Sequence, residues 1–250
     1  MSIFRTLLRR ELSAYLFSLT GYLIIGAVTL LSGTGFVVLI NTLGADPVPV
    51  PLTELFFLSF YFWLTLLLIT PVITMRLFAL EKASGTFENL MTTAVTDLQV
   101  VGAKFTAAML FYLLAWLPLL ADFGVIHYFA HQNSTLDAGT IGGMYLGIAL
   151  IGGLFLSLGC FASALTRSQV AAAVISFMLG VGLFSLAYLA KQIPASEQWS
   201  SKALSYFGML DHMDAFARGV VDTRTVVFYV SATFLFLFLT LRVVESRRWR

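Results

Sequence analysis

Residues Ile141 to Ala164 read IGGMYLGIALIGGLFLSLGCFASA, without one charged side chain. At 1.5 Å per residue, a helix of this length covers the roughly 30 Å of hydrocarbon in a bilayer. The run does not alternate apolar and polar residues, as a barrel strand would over about ten residues. Away from water, backbone N–H and C=O groups must bond within the segment, so the run is a helix. It is dense in glycine: Gly139 just before it, then Gly142, Gly143, Gly147, Gly152, Gly153 and Gly159. Gly139, Gly143 and Gly147 recur every fourth residue, which lets a second helix approach closely in lipid. Packing within one chain is the commoner use of such a row; a seam between two copies is the alternative.

The same signature recurs along the chain. Further spans are expected at about Leu19 to Ile40, Leu55 to Thr74, Val101 to Phe123, Val170 to Ala190 and Val226 to Val243, making six in all. Pro71 and Pro118 are expected to bend the second and third near their ends. The composition agrees. Of 250 residues, 59% are hydrophobic and only 11% charged, against about 25% charged in a soluble domain. The mean hydropathy is +0.90. Such a chain cannot cover itself with polar surface, and the fold class is an all-α polytopic membrane protein. No large soluble domain, internal repeat or convincing cleavage site is present, and the first run reads as an uncleaved span. The net charge of +2 is too small to suggest nucleic acid as a partner. The one cysteine, Cys160, has no mate for a disulfide and reads as a small packing residue.

With six spans both termini share a side. Of 15 basic residues, all but Lys191, Lys202, Arg218 and Arg224 fall on that side. The positive-inside rule therefore predicts cytoplasmic termini. Before the first span, Ile3, Phe4, Leu7, Leu8, Leu12 and Tyr15 share one helical face, with Arg5, Arg9 and Arg10 off it. That pattern predicts an interfacial amphipathic helix over 1–17. The longest polar region, 191–225, still carries Trp199, Tyr206, Phe207, Met209, Leu210, Met213 and Phe216. Short helices at the outer interface are expected there.

No catalytic pattern is found. The G-x-x-x-x-G-K-[ST] phosphate loop is missing, so the chain does not hydrolyse ATP by that route. His127 and His131 lie four apart, one turn after Asp122. They could share a helical face and hold a metal, but a solvated loop is the favoured reading. Charges inside the spans are nearly absent; Asp122 and Glu54 are read as helix-end residues. A mid-membrane charge costs about 2.5–3.5 kcal/mol on insertion scales, and ion-coupled carriers commonly retain one for function. Its lack argues against an autonomous carrier or channel and for a membrane part whose energy comes from elsewhere.

The entry point for that energy is expected between the second and third spans, over 75–99. Phe87, Leu90, Met91 and Ala94 fall on one helical face, with Glu88 off it. Gly85 permits the change of direction before them. An ordinary polar loop is the competing reading.

The run Thr70-Pro71-Val72-Ile73-Thr74-Met75-Arg76-Leu77-Phe78-Ala79, with Glu81, Ser84-Gly85-Thr86, Glu88, Leu90, Thr96-Asp97, Val100, Gly102, Lys104 and Phe105, resembles ABC-2 type transporter permeases. It is most similar to the GldF-like gliding-motility branch and more distantly to NosY-like permeases. His212-x-x-x-Phe216-x-Arg218-Gly219-Val220-Val221-Asp222 and the closing Ser246-Arg247-Arg248-Trp249 add to the likeness. The resemblance implies a single six-helix permease domain of the type V exporter kind, with an N-terminal connecting helix. A short coupling helix would carry Glu81, Ser84, Gly85, Thr86, Phe87, Glu88, Leu90 and Met91. Arg76 and Lys104 would be basic residues at span edges. Outer re-entrant helices would carry Asp211, His212, Arg218 and Asp222. Its partners would be an ABC ATPase subunit holding ATP and Mg, a second permease copy or paralogue, membrane lipid and an extracytoplasmic accessory protein. The chain itself would hold no cofactor. It departs from many relatives at Ala94-Val95, where they carry proline.

Overall fold

The computed structural model describes residues 3–43, 52–86, 95–129, 138–192 and 206–246. Every regular element among them is a helix. In chain order these are α1 (Ile3–Leu16), α2 (Leu19–Leu43), α3 (Leu52–Leu58), α4 (Phe60–Thr74) and α5 (Ala79–Ser84). They are followed by α6 (Asp97–Ala115), α7 (Pro118–Phe129), α8 (Ala138–Leu165), α9 (Gln169–Gln192), α10 (Met209–Ala217) and α11 (Thr223–Ser246). Six segments are long and apolar enough to cross a membrane: Leu19–Asn41, Phe60–Ser84, Asp97–Val125, Gly139–Leu165, Gln169–Ala190 and Thr223–Ser246. For brevity, the end of the bundle holding Ile3 and Ser246 is the near end; the other is the far end.

Two expected spans prove to be broken. The second does not start at Leu55. Ser59 is extended (φ −69°, ψ 150°) and separates α3 from α4. The Trp63 indole N–H donates to Phe57 O at 3.0 Å, supplying a carbonyl that the break would leave bare. At its other end α4 runs through Pro71 to Thr74 and then turns over Met75 to Phe78 before α5. The third span is interrupted at Trp116 and Leu117. Pro118 has no N–H and clashes with a continuing helix, so it restarts the chain as the first residue of α7. Tight i to i−3 bonds bridge the break, from Leu117 N to Leu114 O (3.1 Å) and Leu119 N to Trp116 O (3.2 Å).

The centre of the bundle is α8, the most enclosed of the six spans. It packs against α4, α6, α9, α10 and α11. Its glycines are what let these neighbours in. A Cβ on Gly152 would lie 2.2 Å from Cε1 of Tyr112 on α6, and one on Gly159 would lie 2.0 Å from Oγ1 of Thr74 on α4. Towards the far end, aromatic rings fill the core between α2, α3, α4 and α7. Phe36 stacks on Phe56 at 4.5 Å and meets Phe123 edge-on at 5.0 Å. Phe57 and Phe62 add another edge contact at 4.8 Å.

The amphipathic α1 packs along α6. Tyr15 anchors it: the ring stacks on Phe111 at 4.8 Å and the hydroxyl donates to Ile73 O at 2.8 Å. Ile3, assigned from spacing to the apolar face, is exposed, whereas Glu11 is half-buried on the packed side. The stripe that meets the bundle therefore takes in Glu11 beside Phe4, Leu8, Leu12 and Tyr15.

Candidate functional site

At the near end four charges from three helices meet. The α6 helix opens with a capping box: Thr96 Oγ1 accepts from Gln99 N, and Gln99 Oε1 accepts from Thr96 N, each at 3.3 Å. That fixed start places Lys104 two turns inside the helix, facing α1 and α5. Its side chain is only 3% exposed. The ammonium lies 3.1 Å from Glu11 Oε1 of α1 and 3.0 Å from Glu81 Oε1 of α5. Arg10 completes the group, 2.6 Å from Glu11 Oε1 and 3.0 Å from Glu81 Oε1. Phe78 presents its ring to the Lys104 ammonium at 5.6 Å. Two cations face two anions, so the cluster is neutral. A buried ammonium is tolerated only when paired in this way. Partial burial works against the charge on Arg10, but Glu11 and then Glu81 outweigh it and raise its pKa from the ordinary value. Glu81 Oε2 is buried and has no hydrogen-bond partner among the described residues.

Helix α5 is also fastened to α8. The Ser163 hydroxyl accepts from Phe78 N and Ala79 N, both at 3.1 Å, and donates to Met75 O at 3.2 Å. Lys82 Nζ donates in return to Ala164 O, close to the last turn of α8. Arg76 Nη1 reaches Thr20 Oγ1 at the start of α2, 2.6 Å away. Gly85 ends α5 in the left-handed conformation (φ 73°), as its position before a change of direction required. Ser84 and Thr86 are exposed and share a hydrogen bond of 2.8 Å. Phe87, Glu88, Leu90 and Met91 lie outside the described residues.

The far-end residues divide among several jobs. Arg218 bridges Glu54 Oε1 of α3 (2.6 Å) and Asp214 Oδ2 of α10 (3.0 Å), and Glu54 is itself buried. His212 Nδ1 lies 3.2 Å from the Tyr229 hydroxyl. Burial lowers the His212 pKa from its ordinary value, against the weaker opposing pull of Asp211 and Asp222. Asp222 Oδ1 accepts from Arg224 N at 2.9 Å, at the head of α11. Asp211 is exposed. Gly143 and Gly147 face α10 of the same chain: a Cβ on them would meet Phe216 O at 2.8 Å and Met213 Sδ at 2.9 Å. Gly139 is exposed. Asp122 lies one turn inside the third span and approaches Ser32 Oγ of α2 at 3.5 Å. Among the described residues, no three His, Cys, Asp or Glu side chains are grouped to hold a metal. The His127 side chain and His131 lie outside the described residues.

Sequence reading singled out Glu81 and Lys104 but not the partners that give them meaning. Arg10 and Lys82 enter the sequence argument only as basic residues of one side, and it gives Glu11 and Ser163 no role. Glu11 alone left a signal. It breaks an apolar stripe between Leu8 and Tyr15, and a charge there must find a partner.

Six helices long and apolar enough to cross a membrane, with the amphipathic α1 packed against them, define a multi-pass helical membrane protein. More specifically, residues 47–211 match the family described as ABC-2 family transporter protein, and the chain belongs to it. It is a non-enzymatic membrane permease component of an ABC transporter, a class that works with an ABC ATPase. No curated protein matches the chain.

Proposed function

We propose that this chain is the permease of an ATP-driven exporter, worked by a separate ATPase subunit that docks at the near end. The observation that carries this reading is the neutral cluster of Arg10, Glu11, Glu81 and Lys104, which ties α1 and α5 to α6. A push on α1, or on the chain that leaves α5 at Gly85, reaches the third span through paired charges. Ser84, Thr86, Phe87, Glu88, Leu90 and Met91 form the contact with the motor. The basic residues gathered at this end support its facing the cytoplasm of a bacterial inner membrane, with both termini inside. A second copy or a paralogue completes the pathway, and α10 with the surrounding 191–225 forms an outer cap. Outside the paired cluster at the near end the spans carry few charges, which suits an amphipathic, lipid-like or polymeric substrate. The likeness of 70–105 to GldF-like permeases favours one other reading: a force-transmitting or assembly subunit of a cell-surface machine that moves no solute.

Affinity purification from native membranes should bring down a soluble ATPase with a phosphate loop. With both in lipid vesicles, ATP should drive a fluorescent lipid analogue across the bilayer, and Glu88→Arg should abolish that movement along with ATPase binding. Movement by the chain alone without nucleotide would end the proposal. Robust ATPase stimulation by an extracytoplasmic protein, with the lipid analogue stationary, would select the second reading.

A further inference from the structure

We infer that Ser163 and Lys82 are positioning residues that lock α5 onto α8, so that α8 carries the motor's displacement to α10 at the far end. This rests on the reading that a motor engages the chain after Gly85. The first N–H groups of a helix and its last C=O groups have no partner within the helix. Here two helices supply each other's missing partners. Ser163 of α8 takes the Phe78 and Ala79 N–H groups at the head of α5, and its own proton goes to Met75 O. One donor and two acceptor positions on that hydroxyl are thereby filled. Lys82 of α5 gives its ammonium to Ala164 O, at the negative end of the α8 dipole. Ser163 and Lys82 are both buried. Sliding α5 along α8 would therefore orphan several buried polar groups at once.

The other end of α8 is fitted as closely. Gly143 and Gly147 leave no room for a Cβ beneath Phe216 and Met213 of α10. Gly219, in the left-handed conformation (φ 77°), turns the chain against Thr140. Both fixings sit on one unbroken helix, α8, of 28 residues, about 42 Å long. The neighbouring spans are interrupted, α4 from α5 over Met75 to Phe78 and α6 from α7 at Trp116 and Leu117, just before Pro118. No proline interrupts α8; like α9, which also touches α5 and α10, it is a continuous member linking the two ends.

The test uses the full chain with Cys160→Ser, a cysteine at exposed Val221 carrying an environment-sensitive fluorophore, and the co-purified ATPase, all in lipid nanodiscs. ATP with orthovanadate should change the emission, and the response is scored per nucleotide trapped. Ser163→Ala and Lys82→Met should each lower that ratio about tenfold, the scale of one lost buried hydrogen bond, and Lys82→Arg should restore it. Gly147→Ala, acting at the opposite end of α8, should lower it too, which keeps the test decisive if Ser163→Ala fails to fold. An undiminished ratio in Lys82→Met or in Gly147→Ala overturns the inference. If Glu81→Gln alone abolishes the response, the displacement runs through α1 and α6 instead. Failure of any ATPase to assemble with the parent protein removes the permease reading itself, and this inference with it.

Discussion

Lys104 is a buried cation held by two carboxylates, Glu11 and Glu81. Removing one partner of a buried ion pair costs about 3–5 kcal/mol, because the other is left uncompensated. Lys104→Met should therefore lower the thermal midpoint in detergent, leaving Glu11 and Glu81 with the half-exposed Arg10 as their one shared counterion. Lys104→Met with Glu11→Gln and Glu81→Gln together should recover much of the loss, since an uncharged trio needs no counterions and Arg10, half-exposed, keeps its contact with water. His212 makes a second, signed prediction. Its lowered pKa means that the folded protein binds fewer protons than the unfolded chain below the ordinary value of 6.5. Stability should thus be lost as pH falls from about 6.5, and should be flat above it with respect to this group. His212→Gln should remove that part of the slope in melts recorded between pH 7 and pH 5.

At the scale of the element, the glycines of the spans fall into two kinds. Gly152 sits under the Tyr112 ring with no space for another carbon, whereas Gly182 on α9 has nothing within 4 Å. Gly152→Ala should destabilise by about 1–3 kcal/mol through overpacking. Gly182→Ala should be neutral or stabilising by about 0.5–1 kcal/mol, because glycine weakens a helix interior. Melting the two variants side by side checks this. An equally large loss at Gly182 would mean that another copy covers that face of α9. Spacing brought Gly139, Gly143 and Gly147 to notice as one row, yet the chain uses only the latter two against α10. A fourfold repeat says that close approach is possible; it does not say which helix approaches.

For the whole molecule the strongest prediction is its orientation. Thr86, at the near end, should be labelled as a cysteine variant by a membrane-impermeant maleimide only in inside-out vesicles. Val221, at the far end, should be labelled only from outside. Both substitutions would be made in the Cys160→Ser chain. Labelling of both from one face would break the six-span topology.

How much of this was legible in the sequence follows from the range of the forces involved. Hydropathy, the amphipathic start and the turn at Gly85 are local properties, readable within a few turns, and they determined a six-span helical protein; the resemblance to ABC-2 permeases rests instead on the motif residues between Thr70 and Phe105. Pro118 announced its own break; the one at Ser59, stabilised by Trp63 only after folding, did not. What the tertiary structure alone decided was partnership. Glu81 meets Arg10, Lys104 meets Glu11, and Ser163 meets Phe78, pairs separated by 71, 93 and 85 positions. Charges and hydroxyls shut away from water must be satisfied by whatever the packed helices bring beside them. Linear spacing holds no record of that neighbour, and only the fold supplies it.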